Sequence, residues 1–324
     1  LAISAAASSC SSVRDPPDQG NDQVSAAAGT VTPLDSIVAA GQQLYSDSEY
    51  EAARRVWREA LDRARVERNV EIEARVLTSL ALTFRQLGEY RDAEQLGTDA
   101  VLLERRHSLV QLLPRSLNAV GLIVWDQGRL DDAAELFRQT VAAAREVGEQ
   151  RYVYAPANNL GNVYTQFGEF SAAREYFLTA LTGAREHGDT SSEGRALANL
   201  GMLELRTGDV HAALGWLERA RAAALAAGDD TNEENVLAHL ADAHTALGEP
   251  SRAFAVLDSA LRQARAQGRR QAETANLELQ ASLYRQAGDL RRALDIYRQA
   301  RVTSNELGRA EETGRDLRTE AEIH

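Results

Sequence analysis

The side chains able to do chemistry are few and scattered. Cys10 is the only thiol of the 324 residues, so neither an internal disulfide nor a cysteine-based zinc cluster is expected. His239, Asp242 and His244 are neighbours in sequence, but helix positions five apart point to different faces, which argues against a metal site. The glycine-rich phosphate loops of nucleotide-binding proteins are absent. We therefore predict no enzyme activity, no cofactor and no metal for these residues.

Composition indicates a folded, largely helical body. Hydrophobic residues make up 44% of the chain and charged residues 26%, as in soluble globular proteins. Ala, Leu, Arg and Glu dominate, and all four favour helices. The net charge is −12, with Arg supplying all 36 basic residues. A negative field repels phosphate backbones, so nucleic acid is not an expected partner.

The start of the chain resembles the end of a bacterial lipoprotein signal. A run of small and apolar residues, LAISAAASS, precedes Cys10, which we predict to be the lipidated residue. Ala7 departs from the pattern, because such signals usually have Leu there. Residues 1–10 are then a truncated signal with its lipobox, and 11–32 a disordered linker. The expected location is the bacterial cell envelope, lipid-anchored on the periplasmic or extracellular face. The alternative is a cytoplasmic protein whose Ala/Ser-rich tail carries an incidental cysteine.

Internal repeats organise the rest of the chain, with a 40-residue period equal to the step from Gly88 to Gly128. Glycines recur in two series, and alanine follows the first series five residues later. Ser48 holds the phase of the first series one period earlier. The first series is Gly88, Gly128, Gly168, Gly208, Gly248 and Gly288, and the second is Gly148, Gly188, Gly228, Gly268 and Gly308. Glycine accepts the left-handed conformation that ends a helix. Each repeat is therefore predicted to be two helices.

Small residues also recur inside the first helix of each repeat. They are Gly41, Ala81, Gly121, Gly161, Gly201, Ala241 and Ala281. Glycine in a helix costs roughly 1 kcal/mol relative to alanine. Its recurrence predicts that two helices approach closely. The facing surface is expected on the second helix, from two series of small residues with the same 40-residue period, one beginning at Ala53 and the other at Ala60.

These features together resemble the tetratricopeptide repeat (TPR), most completely in residues 159–177, NLGNVYTQFGEFSAAREYF. The usual repeat is about 34 residues long, and longer repeats like these are similar to kinesin-light-chain arrays. The resemblance implies an all-α fold, a right-handed α-α superhelix (TPR solenoid) of about seven helix-turn-helix repeats plus a C-terminal helix. It covers about residues 34–309. We place the solenoid at 33–309, and a capping helix or the start of an eighth repeat at 310–324.

In this family the first helices line a groove for ligands. Carrying over the groove positions, and two asparagines beside them, gives the predicted peptide-binding residues Arg75, Arg115, Asn118, Trp125, Asn158, Asn159, Asn162, Arg195 and Asn199. Asparagine is a poor helix-interior residue, and its amide both donates and accepts, so it suits the backbone of an extended peptide. The alternative is that these asparagines satisfy turns or neighbouring helices.

The arginines and the tryptophan have competing interpretations as well. An arginine series pairs well with acidic groups of a ligand, or equally with nearby acids of the chain itself. Trp125 is either an exposed anchor or a packed core aromatic. The family's two-carboxylate clamp for chaperone tails needs lysine, which this chain lacks, so chaperone binding is not expected.

The sequence thus favours a protein–protein interaction scaffold that binds a peptide or partner protein with acidic groups. The membrane is expected to be reached only through a lipid anchor at Cys10. The alternative is the recognition arm of a larger enzyme, such as a caspase-like CHAT peptidase, or of a signalling regulator. A catalytic domain would then lie in a longer parent chain. A purely structural assembly role is a third interpretation.

Overall fold

A computed structural model describes residues 33–306. The predictions for residues 1–10, 11–32 and 310–324, including lipidation of Cys10, lie outside these residues. Two compact units divide the described chain, one ending at Phe167 and one beginning at Gly168; we call them unit 1 and unit 2. Every regular element between residues 33 and 306 is a helix, which confirms the all-α prediction.

Fourteen helices follow the 40-residue period through the described residues. Each repeat contributes a first and a second helix in chain order. They are α1 (Pro33–Ser46), α2 (Tyr50–Val66), α3 (Val70–Gln86), α4 (Tyr90–Arg106), α5 (Leu113–Asp126), α6 (Leu130–Val147), α7 (Arg151–Gln166), α8 (Phe170–Glu186), α9 (Thr190–Thr207), α10 (Val210–Ala227), α11 (Asp230–Ala246), α12 (Pro250–Ala266), α13 (Arg270–Gln286) and α14 (Leu290–Glu306).

The turns confirm the role assigned to the repeated glycines. Gly128 separates α5 from α6 with a φ of 78°, and Gly148 ends α6 with a φ of 79°. The left-handed conformation persists where the series lack glycine, at Ser48, Arg68 and Ser108. The repeat geometry therefore imposes this backbone conformation even on residues that adopt it at a cost.

Aspartates cap two of the first helices. Thr190 and Thr231 each have a glutamate three residues later, a pattern typical of a capping box, but the caps of α9 and α11 are Asp189 and Asp229, each accepting a hydrogen bond from a backbone N–H three residues on. A carboxylate combines that hydrogen bond with a favourable interaction with the helix dipole. Pro250 begins α12, a position where the missing N–H of proline has no helical partner to lose.

Close packing of the paired helices is confirmed, with a different facing residue from the one expected. A Cβ placed on Gly121 of α5 would lie 2.8 Å from Cε1 of Phe137 of α6. The glycine therefore makes room for a large ring rather than facing alanine. One repeat earlier both facing residues are small, because Ala81 of α3 lies opposite Gly97 of α4, and a Cβ on Gly97 would lie 2.8 Å from Cγ2 of Val120 on α5. Each glycine thus makes room for a side chain of a neighbouring helix.

Within each unit the first helices also lie beside one another. In unit 1, α5 contacts both α3 and α7; in unit 2, α11 contacts both α9 and α13. Each first helix is therefore covered by second helices and by neighbouring first helices. One face along its length is the least covered, and the candidate site lies there.

Candidate functional site

The open faces of the first helices have a common register. On α7 the residues of one helical face are half-buried or exposed, namely Arg151, Ala155, Asn158, Asn162 and Gln166. On α9 the half-buried or exposed residues of this face are Ser191, Arg195, Asn199, Met202 and Arg206; they follow the α7 residues by 40 positions, except that Asn199 follows Asn158 by 41. Their spacing of three and four residues places each set on one side of its helix. We call the α7 set together with Arg115 and Asn118 of α5 the unit 1 stripe, and the α9 set together with His239 and Asp242 of α11 the unit 2 stripe.

Asn118 is the most unusual polar group of the unit 1 stripe. It is 8% exposed, and its Oδ1 has no hydrogen-bond partner among the described residues. A buried acceptor without a donor costs about 1–3 kcal/mol. Asn158 holds the equivalent position on the adjacent helix α7, and Asn162 lies one turn further on. The Oδ1 of Asn118 is therefore an unused hydrogen-bond acceptor at the buried end of this row of amides.

The two predicted arginines of unit 1 occupy equivalent positions of their repeats and are not fully solvated. Arg75 and Arg115 are half-buried. The Nη2 of Arg115 donates to Oγ of Ser79 at 3.3 Å, joining α5 to α3. A buried ion pair between Arg85 and Asp126, 2.6 Å apart, joins the same helices. The first helices of repeats two and three are therefore fastened by polar contacts.

Two predicted contact residues are turned into the packed interior. Trp125 is 8% exposed, and its ring centroid lies 6.2 Å from that of Phe137 in a tilted arrangement. This placement favours the core-aromatic interpretation. Asn159 is 4% exposed, which favours an internal role for its amide as well.

In unit 2, Arg195 is engaged by its own unit. It donates to Oγ of Ser191 at 2.8 Å and to Oγ of Ser192 at 2.9 Å, and its Nη1 lies 3.5 Å from a carboxylate oxygen of Asp229. These contacts favour the alternative that Arg195 pairs with nearby acids of the chain. Asn199 is half-buried on the open face of α9.

The unit 2 stripe also contains three titratable residues that were not among the ligand contacts predicted from the sequence. They are Arg206 on α9 and His239 and Asp242 on α11. Desolvation lowers the pKa of His239, and the positive charge of Arg206 lowers it further. Desolvation also raises the pKa of Asp242. The 40-residue period gives a signal for two of them, because His239 and Asp242 follow Asn199 and Met202 by one repeat.

Glu104 of α4 is a further residue that the sequence analysis missed. It is fully buried, and its Oε1 accepts a hydrogen bond from Ser116 at 2.6 Å. The signal was present in the repeat, where the equivalent residue is otherwise alanine or serine. Residues 33–306 contain no group of three or more His, Cys, Asp or Glu side chains placed for a metal ion. In the same range, no helix combines the length and apolar character needed to cross a membrane.

This geometry defines a TPR-type repeat protein, and the family comparison agrees. The sequence model of the MalT-like TPR region matches residues 35–306. The chain therefore belongs to the MalT-like TPR region family. Comparison with curated proteins finds no significant sequence match.

Solved structures with a similar fold include larger regulators and repeat arrays. A signal transduction ATPase with a tetratricopeptide repeat sensor from Pyrococcus horikoshii matches with a TM-score of 0.66 at 14% identity, over 89% of this chain and 43% of that one. The Rap conjugation gene regulator of plasmid pLS20 with the Phr* peptide gives 0.57 at 18%, over 85% and 74%. TPR-like repeats attributed to a kinesin light chain of Podosopora anserina give 0.50 at 20%, over 62% and 98%.

Proposed function

We propose that this chain is a non-catalytic scaffold that binds an extended peptide, or an extended segment of a partner protein, along the open faces of its first helices. The observation that carries the proposal is the pair of half-buried amides Asn158 and Asn162 on one face of α7. They lie beside α5, where the buried Oδ1 of Asn118 has no hydrogen-bond partner among the described residues. An extended peptide offers backbone N–H and C=O groups at regular intervals, which amides pair with irrespective of sequence.

The fold comparison supports this choice of ligand. The Rap regulator of pLS20 holds the Phr* peptide, and another Rap protein of the same fold, with a TM-score of 0.59, is complexed with competence and sporulation factor. The two are 18% and 17% identical to this chain, respectively. We therefore take the class of ligand, a peptide, from them as a proposal and derive the contact residues from this chain alone.

Photocrosslinking tests the proposed binding surface. A photoreactive benzoylphenylalanine replaces Asn162 on the unit 1 stripe, and in a matched chain it replaces Leu102, which is 54% exposed on the second helix α4. After irradiation in an extract of the source cells, we expect mass spectrometry to identify one extended segment crosslinked at position 162. That crosslink should weaken when Asn118→Ala is added.

Crosslinking from position 102 distinguishes specific binding at the unit 1 stripe from nonspecific binding to the protein surface. Capture of the same segments at positions 162 and 102 would reject the stripe as the binding surface. So would capture at 162 that is unchanged by Asn118→Ala.

Acidic groups on the partner form the finer part of the proposal. Arg115 in unit 1 and Arg206 in unit 2 are the arginines on the two stripes best placed to meet them, since Arg195 already contacts Asp229. A guanidinium pairs with a carboxylate in two parallel hydrogen bonds. Arg206→Gln should therefore weaken binding of an acidic segment, while a segment whose acids are changed to amides should bind both proteins alike.

We also propose that the chain is tethered to a bacterial membrane through Cys10, at the cell envelope. The support is the lipoprotein-like run before Cys10; the linker composition of residues 11–32 suits a tether. Metabolic labelling with an alkyne-tagged palmitate should mark the wild type and leave Cys10→Ala unmarked. Equal labelling of both would reject the anchor.

A second candidate is the recognition arm of a larger signalling protein or enzyme. It is favoured by the Pyrococcus horikoshii ATPase, in which this chain matches 43% of the length and the repeats are a sensor. Sequencing the uninterrupted gene separates the two candidates. An in-frame ATPase, CHAT peptidase or other catalytic domain would support the arm, and a stop codon near residue 324 the independent scaffold.

A further inference from the structure

Glu104 places an acid where the repeat elsewhere requires a small residue. It lies on α4 with no exposed surface. The equivalent residues of the other repeats are Ala64, Ala144, Ala184, Ala224, Ala264 and Ser304, and all are buried. Burial of a carboxylate without full pairing is costly. A glutamate at this one position therefore lowers stability, and calls for a role that offsets the cost.

A chain of hydroxyl groups connects Glu104 to two first helices. Ser116 Oγ of α5 lies 2.6 Å from Oε1 of Glu104, and Thr78 Oγ1 of α3 lies 2.7 Å from Ser116 Oγ. A hydroxyl both donates and accepts. The donors point toward the carboxylate when it is ionised, and the direction of the chain reverses when the carboxyl carries a proton. The three helices stay linked in both states.

The second oxygen decides which state is preferred. Oε2 of Glu104 has no hydrogen-bond partner among the described residues, and such an oxygen is tolerated better when the group is neutral. Burial raises the pKa of Glu104 to about 7, against the lowering effects of the Ser116 hydrogen bond and the Arg115 charge. The carboxyl therefore changes charge close to neutral pH.

Arg115 of the unit 1 stripe directly precedes Ser116, the hydrogen-bond donor to Glu104, and its positive charge favours the ionised carboxylate. On α3, the hydroxyls of Thr78 and Ser79 contact Ser116 and Arg115, respectively. We propose that Glu104 is a proton-linked regulator of Arg115. Its ionised form attracts the guanidinium toward the core, and its neutral form leaves Arg115 available to an anionic group of a ligand.

The proton linkage is measurable without any ligand. Glu104 in the folded chain holds its proton from pH 4.5, where the unfolded chain loses it, up to about 7. Its stabilising contribution is therefore complete below pH 4.5 and lost as the pH rises through 7. Relative to Glu104→Gln, the wild-type unfolding equilibrium constant should increase roughly 150-fold between pH 4.5 and 8. Urea unfolding of both proteins across this range gives the difference. Glu104→Ala, which introduces the residue that most other repeats have at this position, is a second variant without the titrating group and serves for the same comparison.

The coupling to Arg115 is tested with sulfate, whose charge is constant over the working range. The probe is the NMR signal of the Arg115 Nε–H during sulfate titration at pH 6 and pH 8. The wild type should bind sulfate roughly threefold more weakly at pH 8, and Glu104→Gln equally at both. Equal affinities in the wild type, or the same pH dependence in the variant, would overturn the proposal.

The effect of Glu104 on a peptide ligand rests on the proposed function, whereas its effect on Arg115 does not. If crosslinking fails at position 162 but the sulfate result holds, the regulator stands and the peptide site falls. If the sulfate result fails while crosslinking succeeds, the reverse is true. Parallel stability curves for the wild type and Glu104→Gln would contradict the buried proton directly.

Discussion

Arg174→Ala is expected to lower the free energy of unfolding by about 2–4 kcal/mol. Both guanidinium nitrogens of Arg174 on α8 pair with the two oxygens of Glu204 on α9, with Nη2 and Oε2 2.8 Å apart. The side chain of Glu204 is only 4% exposed, whereas that of Arg174 is 43% exposed. Removing the arginine leaves a buried carboxylate with a weak contact to Thr207. Urea unfolding followed by circular dichroism measures the loss.

Two variants make this result specific. Arg252→Ala in the same unit removes an exposed partner of Glu249, with the arginine 68% exposed, and should cost about 0–1 kcal/mol. Arg174→Ala combined with Glu204→Tyr should recover most of the loss, because Tyr164 and Tyr284 hold the equivalent place in other repeats. Equal losses from Arg174→Ala and Arg252→Ala would show that burial of Glu204 does not matter.

Gly201→Ala is expected to destabilise the fold by about 1–3 kcal/mol. A Cβ at this position of α9 would lie 2.6 Å from Cγ of Leu217 and 3.3 Å from the backbone oxygen of Ala213 on α10. The methyl group therefore forces two packed helices apart. Alanine is otherwise the better helix former by about 1 kcal/mol. The measured loss in free energy of unfolding is therefore the cost of the steric overlap minus this gain in helix propensity.

Gly215 supplies the matched control on the partner helix. A Cβ there meets nothing within 4 Å, and Gly215 lies inside α10. Gly215→Ala should therefore raise the free energy of unfolding by up to about 1 kcal/mol. The same substitution thus has opposite signs at positions 201 and 215. A gain at both would mean that α9 and α10 do not pack as closely as described.

The fold was predictable because its information is periodic. Glycines at left-handed turns and small residues at helix crossings each recur once in every repeat, so one repeat explains the others. The facing partner of Gly121 was not predictable, because periodicity shows that a small residue is needed without showing what fills the space. The partners themselves, Phe137 for Gly121 and Val120 for Gly97, are known only from the coordinates.

The candidate site was only partly predictable for a related reason. Asn158, Asn162 and Asn199 lie on open faces because the helical register alone places them there. Whether a polar group is already paired depends on residues of the neighbouring repeat, some 36 to 41 positions away, as for Arg115 with Ser79 and Arg85 with Asp126. Sequence spacing does not reveal which residues of neighbouring repeats meet, so it left open whether Arg195 pairs with a ligand or with Asp229.

We propose that the amides of the unit 1 stripe hold an extended peptide backbone. The most direct test of this proposal is the affinity of the segment captured at position 162, made as a synthetic peptide and measured by isothermal titration calorimetry. At about 1 kcal/mol for each hydrogen bond, the Asn158→Ala/Asn162→Ala variant should bind it roughly 30-fold more weakly than the wild type. Gln95→Ala, which removes an exposed amide of α4, should leave the affinity unchanged. Equal Kd values for the wild type and the double variant would contradict the claim.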